Sequence, residues 1–109
     1  MTFSDSIHVM LLTHDKFRQF TPRPIADATA GSEVLLCLSA DSRESVDLAV
    51  ERAVANGGTA DPGPKQDYGV MYGRSVADPD GHIWEIMWMD PAAAERGAAA
   101  VQEAVATAL

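Results

Sequence analysis

The chain is poor in cysteine and in positive charge. Its only cysteine, Cys37, cannot form an internal disulfide. It has 8 Lys and Arg against 16 Asp and Glu, a formal net charge of −8, which argues against a nucleic-acid or anionic-membrane partner. It also lacks an apolar run of membrane-spanning length, and Met1–Asp15 has no basic segment typical of a signal peptide. These absences together predict a cytoplasmic protein.

The composition is otherwise that of an ordinary globular protein, with 47% hydrophobic and 22% charged residues. Because 109 residues supply one modest core, we expect a single small domain.

The most informative stretch is Asp78–Asp90, which reads DPDGHIWEIMWMD. Pro79 and Gly81 are typical of a tight turn. A strand is predicted from His82 to Met89, and it is apolar on both sides. One face carries His82, Trp84, Ile86 and Trp88, and the other carries Ile83, Glu85, Met87 and Met89.

Glu85 is the exception within this strand. A buried carboxylate is costly unless it is paired, hydrogen-bonded or bound to a metal. Glu85 is therefore either a site residue or an acceptor for a tyrosine, an arginine such as Arg74, or backbone amides. The Trp84, Ile86 and Trp88 face is interpreted as core packing against a helix over Val46–Val54.

Several further elements are predicted along the chain. Strands are expected over Ser6–Leu12 and Glu33–Ser39, with a surface connection over Thr21–Ser32 between them. A helix is expected to begin with Asp41 as N-cap and Glu44 completing a capping box, and to end at Asn56-Gly57-Gly58.

The second half is predicted to be mostly strand. Thr59–Gln66 is at best an irregular edge strand, because Pro62 and Pro64 interrupt it. Tyr68–Ala77 is predicted to form a hairpin with the strand that follows the turn. Asp90-Pro91 is a good helix start, and an Ala-rich tail, Ala92–Leu109, favours a helix interrupted at Gly97. The tail carries a narrow apolar stripe, Val101, Val105 and Leu109.

From Glu33 to Met89 the chain thus reads as a βαβββ unit closed by DPDGHIWEI, and in this it resembles the vicinal oxygen chelate superfamily. That superfamily includes glyoxalase I, extradiol dioxygenases and bleomycin-resistance proteins. The resemblance implies an α+β fold with a mixed, curved sheet. Residues 33–90 would be the second module, 1–20 the remnant of a first module, 21–32 a connection, and 91–109 a C-terminal helix.

The resemblance also implies a site. In metal-using members each module supplies one ligand from its first strand and one from its last. Carried over by position, these ligands are Glu85, Glu33 and His8, and the first-strand ligand of the first module has no counterpart in this chain. A core role for His8 and a solvated strand end for Glu33 remain alternatives. Tyr72 and Arg74 could line the cleft and bind an anionic substrate, or they could serve only in packing.

One imidazole and two carboxylates would suit Zn²⁺, Ni²⁺, Mn²⁺ or Fe²⁺. The resemblance then implies a lyase, isomerase or dioxygenase acting on a small oxygenated substrate, with Glu85 as the catalytic base. A metal-free protein that binds a small molecule, or a shortened relative without an intact site, are the alternatives. Because only one module and a strand of the usual two modules are present, a homodimer is expected.

Overall fold

The computed structural model describes residues 1–96. Its elements, in chain order, are β1 (Thr2–Ser4), β2 (Ile7–His8), α1 (His14–Phe17), β3 (Leu36–Ser39), α2 (Arg43–Ala55), β4 (Thr59–Ala60), β5 (Gln66–Asp67), β6 (Met71–Ala77), β7 (Ile83–Met89) and α3 (Pro91–Arg96). The predicted α+β class is confirmed.

Five strands form one mixed sheet in the order β3-β7-β6-β4, with β5 also pairing with β6. β3 runs parallel to β7, and the other pairs are antiparallel. A parallel pair needs a crossover, and helix α2 lies in the connection that leads from β3 to the rest of the sheet. The expected βαβββ order is therefore present. Thr59–Gln66 provides two short strands instead of one irregular strand.

The hairpin between β6 and β7 is built by the Asp78–Gly81 turn. One oxygen of the Asp78 carboxylate accepts hydrogen bonds from the backbone N–H groups of Asp80 (3.0 Å) and His82 (2.9 Å). The other oxygen accepts from the indole N–H of Trp84 at 3.0 Å. Gly81 has a φ of +95°, which other residues rarely adopt. The turn thus fixes the register that places Ala77 opposite Ile83.

Helix α2 begins one residue later than expected. Ser42, not Asp41, is the N-cap, and its hydroxyl accepts from the backbone N–H of Ser45 at 3.0 Å. The prediction of an Asp41–Glu44 capping box is therefore wrong. Both Asp41 and Ser42 can cap a helix, and in the structure Ser42 does so and the helix begins at Arg43. At the other end, the N–H groups of Gly57 and Gly58 bond to the carbonyls of Val54 and Ala53, as a Schellman motif requires.

The core lies between α2 and one face of the sheet. Val46 and Val50 from the helix are fully buried against Tyr72 and Ile86. Trp88 packs partly buried against this cluster, together with Leu38, Ala40 and Ala49. The predicted packing of the Trp84, Ile86 and Trp88 face against Val46–Val54 is confirmed for Ile86 and Trp88. Trp84 is not part of this cluster, because its indole bonds to Asp78 of the turn and its ring lies 6.5 Å from that of Phe3.

The N-terminal strand differs from its prediction. Pairing is confined to Ile7–His8, which forms a separate two-stranded sheet with Thr2–Ser4. Met10 and Leu11 are 70% and 74% exposed, so no described surface is available to hold the rest of Ser6–Leu12 as a strand. The second strand is likewise shorter than Glu33–Ser39, because only Leu36–Ser39 pairs with β7.

The connection Thr21–Ser32 contains no helix or strand, as expected. Asp27 closes a small turn within it, accepting from the backbone N–H of Thr29 at 2.9 Å and from its hydroxyl at 2.6 Å. The predicted helix start at Asp90-Pro91 is present as α3, over Pro91–Arg96, with Asp90 accepting from the Ala92 N–H. The expected break at Gly97 and the apolar stripe beyond it lie outside the described residues. No helix within residues 1–96 is long and apolar enough to cross a membrane.

Candidate functional site

The two faces of the sheet have different roles. Ser75 and Cys37 are the neighbours of Glu85 on the adjacent strands, so their side chains share its face. Met87 shares this face too, opposite Gly73, and Gln66 lies on the far side of Gly73. Helix α2 covers the other face of the sheet. We call the side that carries Glu85 the Glu85 face.

A shallow depression of about 60 Å³ lies on the Glu85 face. Gly73 lies between Gln66 and Met87 in register, and because it has no side chain it leaves space between them. Glu85 and the loop residues Gly63 and Pro64 complete the lining, with Arg74 and Ser75. Ligand pockets usually measure about 300–1,000 Å³. The depression can therefore hold one polar group of a ligand, but not a whole organic molecule.

Glu85 is the carboxylate of this depression. Every residue of the strand that carries it is half-buried except Ile86, which is buried on the α2 side, so the expectation that both of its faces are buried is wrong. The reason is that β7 is covered by α2 on one side only. Among the described side chains, those of residues 1–93, the Glu85 carboxylate has no hydrogen-bond or ion-pair partner. It is therefore available to a ligand that donates a hydrogen bond or carries positive charge.

Cys37 stands beside Glu85 on β3. Burial, and then the negative charge of Glu85, raise the pKa of the Cys37 thiol. The thiol is therefore protonated at neutral pH, and a protonated thiol is a poor nucleophile and a poor metal ligand.

Tyr72 and Arg74 lie on the side of the sheet that faces α2. Tyr72 is buried in the core, and its hydroxyl donates to Asp47 of α2 at 2.7 Å. The Arg43 guanidinium stacks on the Tyr72 ring, 4.5 Å from its centroid, and pairs with Asp67. The structure thus does not bring the Tyr72 hydroxyl and the Glu85 carboxylate onto one face. Substrate binding by Tyr72 and Arg74 stays a prediction.

His8 and Glu33 are both exposed. His8 lies in the separate N-terminal sheet, where its Nδ1 is 3.1 Å from the Thr2 hydroxyl. Within residues 1–96, no group of three or more His, Cys, Asp and Glu side chains is arranged to hold a metal ion. The three expected ligands therefore do not fit a metal within one chain, and their role as a set stays a prediction.

Sequence reasoning missed Gln66, Gly73 and the Gly63-Pro64 corner. The signal for Gly73 was present, since a glycine between Tyr72 and Arg74 interrupts an otherwise bulky strand. The β5 pairing that places Gln66 on the Glu85 face has no such signal, because β5 is only two residues long and follows a proline-rich loop.

The comparisons with known proteins agree with this architecture. Residues 7–86 match the family described as the Glyoxalase/Bleomycin resistance protein/Dioxygenase superfamily. This chain belongs to that superfamily. No curated protein matches it.

Among solved structures, a hypothetical protein from S. aureus is similar in fold, with a TM-score of 0.56 and 23% identity over 68% of this chain and 55% of that one. A glyoxalase/bleomycin resistance protein from Albidiferax ferrireducens is 29% identical over 50% of this chain and 46% of its own, with a TM-score of 0.46. A glyoxalase/bleomycin resistance protein/dioxygenase family enzyme from Burkholderia phytofirmans is 27% identical, with a TM-score of 0.49. The match covers 69% of this chain and 54% of that enzyme. This chain spans about half the length of each.

Proposed function

We propose that this chain supplies one half of a small-molecule binding site in which Glu85 is the polar anchor. The observation that carries the proposal is a half-buried carboxylate without a described partner, placed in a depression too small for a whole ligand. A carboxylate prefers a group that donates hydrogen bonds. The ligand class is therefore a small molecule that presents an amine, amide or hydroxyl group to Glu85. A cytoplasmic location accords with the single cysteine.

A divalent-metal enzyme of glyoxalase type is the second candidate. It is favoured by the position of Glu85 on the strand after the Asp-Pro-Asp-Gly turn, where metal-using members of the superfamily carry a ligand. Zn²⁺, Ni²⁺, Mn²⁺ or Fe²⁺ would need donors beyond those that one chain assembles, for example His8 and Glu33 of a second copy. Because the described residues do not by themselves fit a metal, we assign no catalytic step to one.

The other half of the site would come from a second copy of this chain. Strand β3 lies at the edge of the sheet, with Val34 and Leu35 at 60% and 56% exposure just before it. An apolar sheet edge of this kind favours association with another strand. A homodimer would place two Glu85 faces in one assembly, and small-molecule ligands would bind between them.

The test is a screen of small amines, amides and polyols by ligand-observed NMR, combined with elemental analysis of protein purified without chelator or metal affinity. If the binding function is correct, we expect ligands to bind to protein that holds no stoichiometric metal. Glu85→Gln should raise their dissociation constants by tenfold or more, since charge-assisted hydrogen bonds are the stronger ones. The fold should persist, because Glu85 is not part of the core.

Glu51→Gln is the matched control, since Glu51 is exposed on α2 and its loss removes the same charge away from the depression. Stoichiometric metal that is lost in Glu85→Gln would favour the enzyme. Hits that Glu85→Gln and Glu51→Gln leave equally strong would exclude Glu85 as the anchor. A protein with neither hits nor metal would correspond to a relative without an intact site.

A further inference from the structure

The loop between β4 and β5 forms a wall of the Glu85 depression. Its residues Gly63 and Pro64 contribute to the lining, together with Gln66 at the start of β5. The loop is short and contains two prolines, but its position is not set by the sheet alone, because β4 and β5 are only two residues each. Something else must hold it at the correct distance from Glu85.

Two adjacent residues of β6 supply the attachment. Ser75, on the Glu85 face, accepts a hydrogen bond from the Gly63 N–H through its hydroxyl at 3.1 Å, and its carbonyl accepts from the Asp61 N–H at 2.8 Å. Arg74, on the α2 side, binds the Asp61 carboxylate through Nε at 3.1 Å and Nη2 at 2.7 Å. The loop is thus attached to both faces of the sheet.

The backbone conformation at Asp61 accords with a loop path that depends on this attachment. Asp61 has a φ of +51°, the only positive value for a non-glycine residue among those described. Such a conformation costs free energy and persists where surrounding contacts enforce it. The two parallel bonds from the Arg74 guanidinium are contacts of that kind, since a bidentate pair fixes orientation as well as distance.

We infer that Arg74 is a positioning residue: from the α2 side of the sheet it binds Asp61 and thereby sets the loop wall against the Glu85 depression. The inference rests on the proposed function for its biological meaning, but not for its test. Under this inference the two hydrogen-bond partners of Arg74 have different roles. The bond to Asp61 holds the loop, whereas the 3.0 Å bond from Nη1 to Asp47 holds the guanidinium against α2.

The experiment compares Asp61→Asn with Asp47→Asn by NMR-detected hydrogen exchange at the Gly63 amide in the ligand-free protein. Both changes are isosteric, both remove one negative charge from Arg74, and asparagine tolerates the positive φ at position 61. We expect exchange at Gly63 to rise roughly tenfold or more in Asp61→Asn, because a charge-assisted pair is lost, and to stay near the wild-type rate in Asp47→Asn.

A second measurement reports on the site itself. The side-chain amide of Gln66 and the carboxyl carbon of Glu85 should shift in Asp61→Asn and not in Asp47→Asn, although neither group contacts Asp61. Arg74→Lys keeps the charge without the bidentate geometry, so it should raise Gly63 exchange by an intermediate factor.

Equal effects of the two asparagine variants would overturn the inference, because Arg74 would then contribute only to general stability. An unchanged Gly63 rate in Asp61→Asn would overturn it as well. If Asp61→Asn does not fold, Arg74→Lys decides: wild-type Gly63 exchange and an unshifted Gln66 amide would count against positioning. Since no ligand is used, failure here leaves the proposed binding function untouched.

Discussion

The charged residues beneath helix α2 form a connected set. Arg74 bonds to both Asp61 and Asp47, and Asp47 also accepts from the Tyr72 hydroxyl. The hydrogen bond from Tyr72, followed by that from Arg74, lowers the pKa of Asp47, and the bond from Arg74 lowers the pKa of Asp61. The same bond from Tyr72 raises the pKa of its own phenol. Each of these side chains is therefore paired with another member of the set, whereas Glu85 has no hydrogen-bond or ion-pair partner among the described side chains.

The lowered pKa values predict how stability depends on pH. Carboxylates with lower pKa values in the folded state stabilise it fully above their unfolded pKa, about 3.9. That contribution is lost as the pH falls from about 4 through the folded values of Asp47 and Asp61. The hydrogen bond to Asp61 raises the pKa of Arg74, so its guanidinium stays protonated throughout and does not add to this change.

Tyr72→Phe tests this at a single bond. Removing the hydroxyl should destabilise the fold by about 1 kcal/mol at neutral pH, since Asp47 is partly exposed and solvent weakens the bond. The loss should shrink as the pH falls from about 4 through the lowered folded pKa of Asp47, because the Tyr72 hydroxyl then no longer bonds to an ionised carboxylate. Urea unfolding at a series of pH values measures this, with Tyr68→Phe as control. A Tyr72→Phe effect that is the same at pH 3 and pH 7 would contradict the assignment.

At the residue scale, Glu85 stands out in the sequence as a carboxylate among alternating apolar residues, and the structure places it half-buried on the face of the sheet opposite α2. Its burial is less complete than the sequence pattern indicated, because whether the second face of β7 is covered depends on the rest of the fold. Which side of the sheet the side chains of Tyr72 and Arg74 occupy depends on how β6 pairs with β7 and on where α2 docks. Neither is encoded locally: the Tyr72 hydroxyl bonds to Asp47 of α2, whereas Arg74 also contributes to the lining of the depression.

Among the elements, those with strong local chemistry were predicted best. The Asp78–Gly81 turn and the glycine stop of α2 depend on backbone conformations that few residues adopt. The start of α2 was missed by one residue because Asp41 and Ser42 can both cap. The strands Ser6–Leu12 and Glu33–Ser39 were predicted too long, because apolar alternation shows what could pair but not where a partner strand ends.

Gly81 tests how far the turn determines this part of the fold. A Cβ there would lie 3.0 Å from the Thr29 methyl and 3.1 Å from the Ala28 backbone, and the φ is +95°. Gly81→Ala should therefore destabilise the protein by about 1–2 kcal/mol from the backbone conformation alone, with more from the contact. Gly31→Ala is the control, because nothing lies within 4 Å of that position. Equal denaturation midpoints for the two variants would contradict this view of the turn.

For the molecule as a whole, the apolar residues at the edge of the sheet are not covered by any described element. Val34, Leu35 and Leu36, at the start of β3, are 60%, 56% and 39% exposed. A contiguous exposed apolar patch of this kind marks a surface that associates with another molecule.

This apolar edge predicts self-association. Val34 and Leu35 precede the edge strand β3, so a second copy could cover them while pairing with the open side of that strand. Light scattering at micromolar concentration should therefore give twice the monomer mass. The double variant Val34→Lys/Leu35→Lys should reduce it to the monomer mass, since charges along a sheet edge oppose pairing.

Leu48→Lys/Val54→Lys is the matched control, because these helix residues are 44% and 45% exposed and lie away from the edge. A monomeric wild type with a cooperative melt, or a dimer that both double variants leave intact, would show that β3 is not the contact and that the Glu85 site is not completed there.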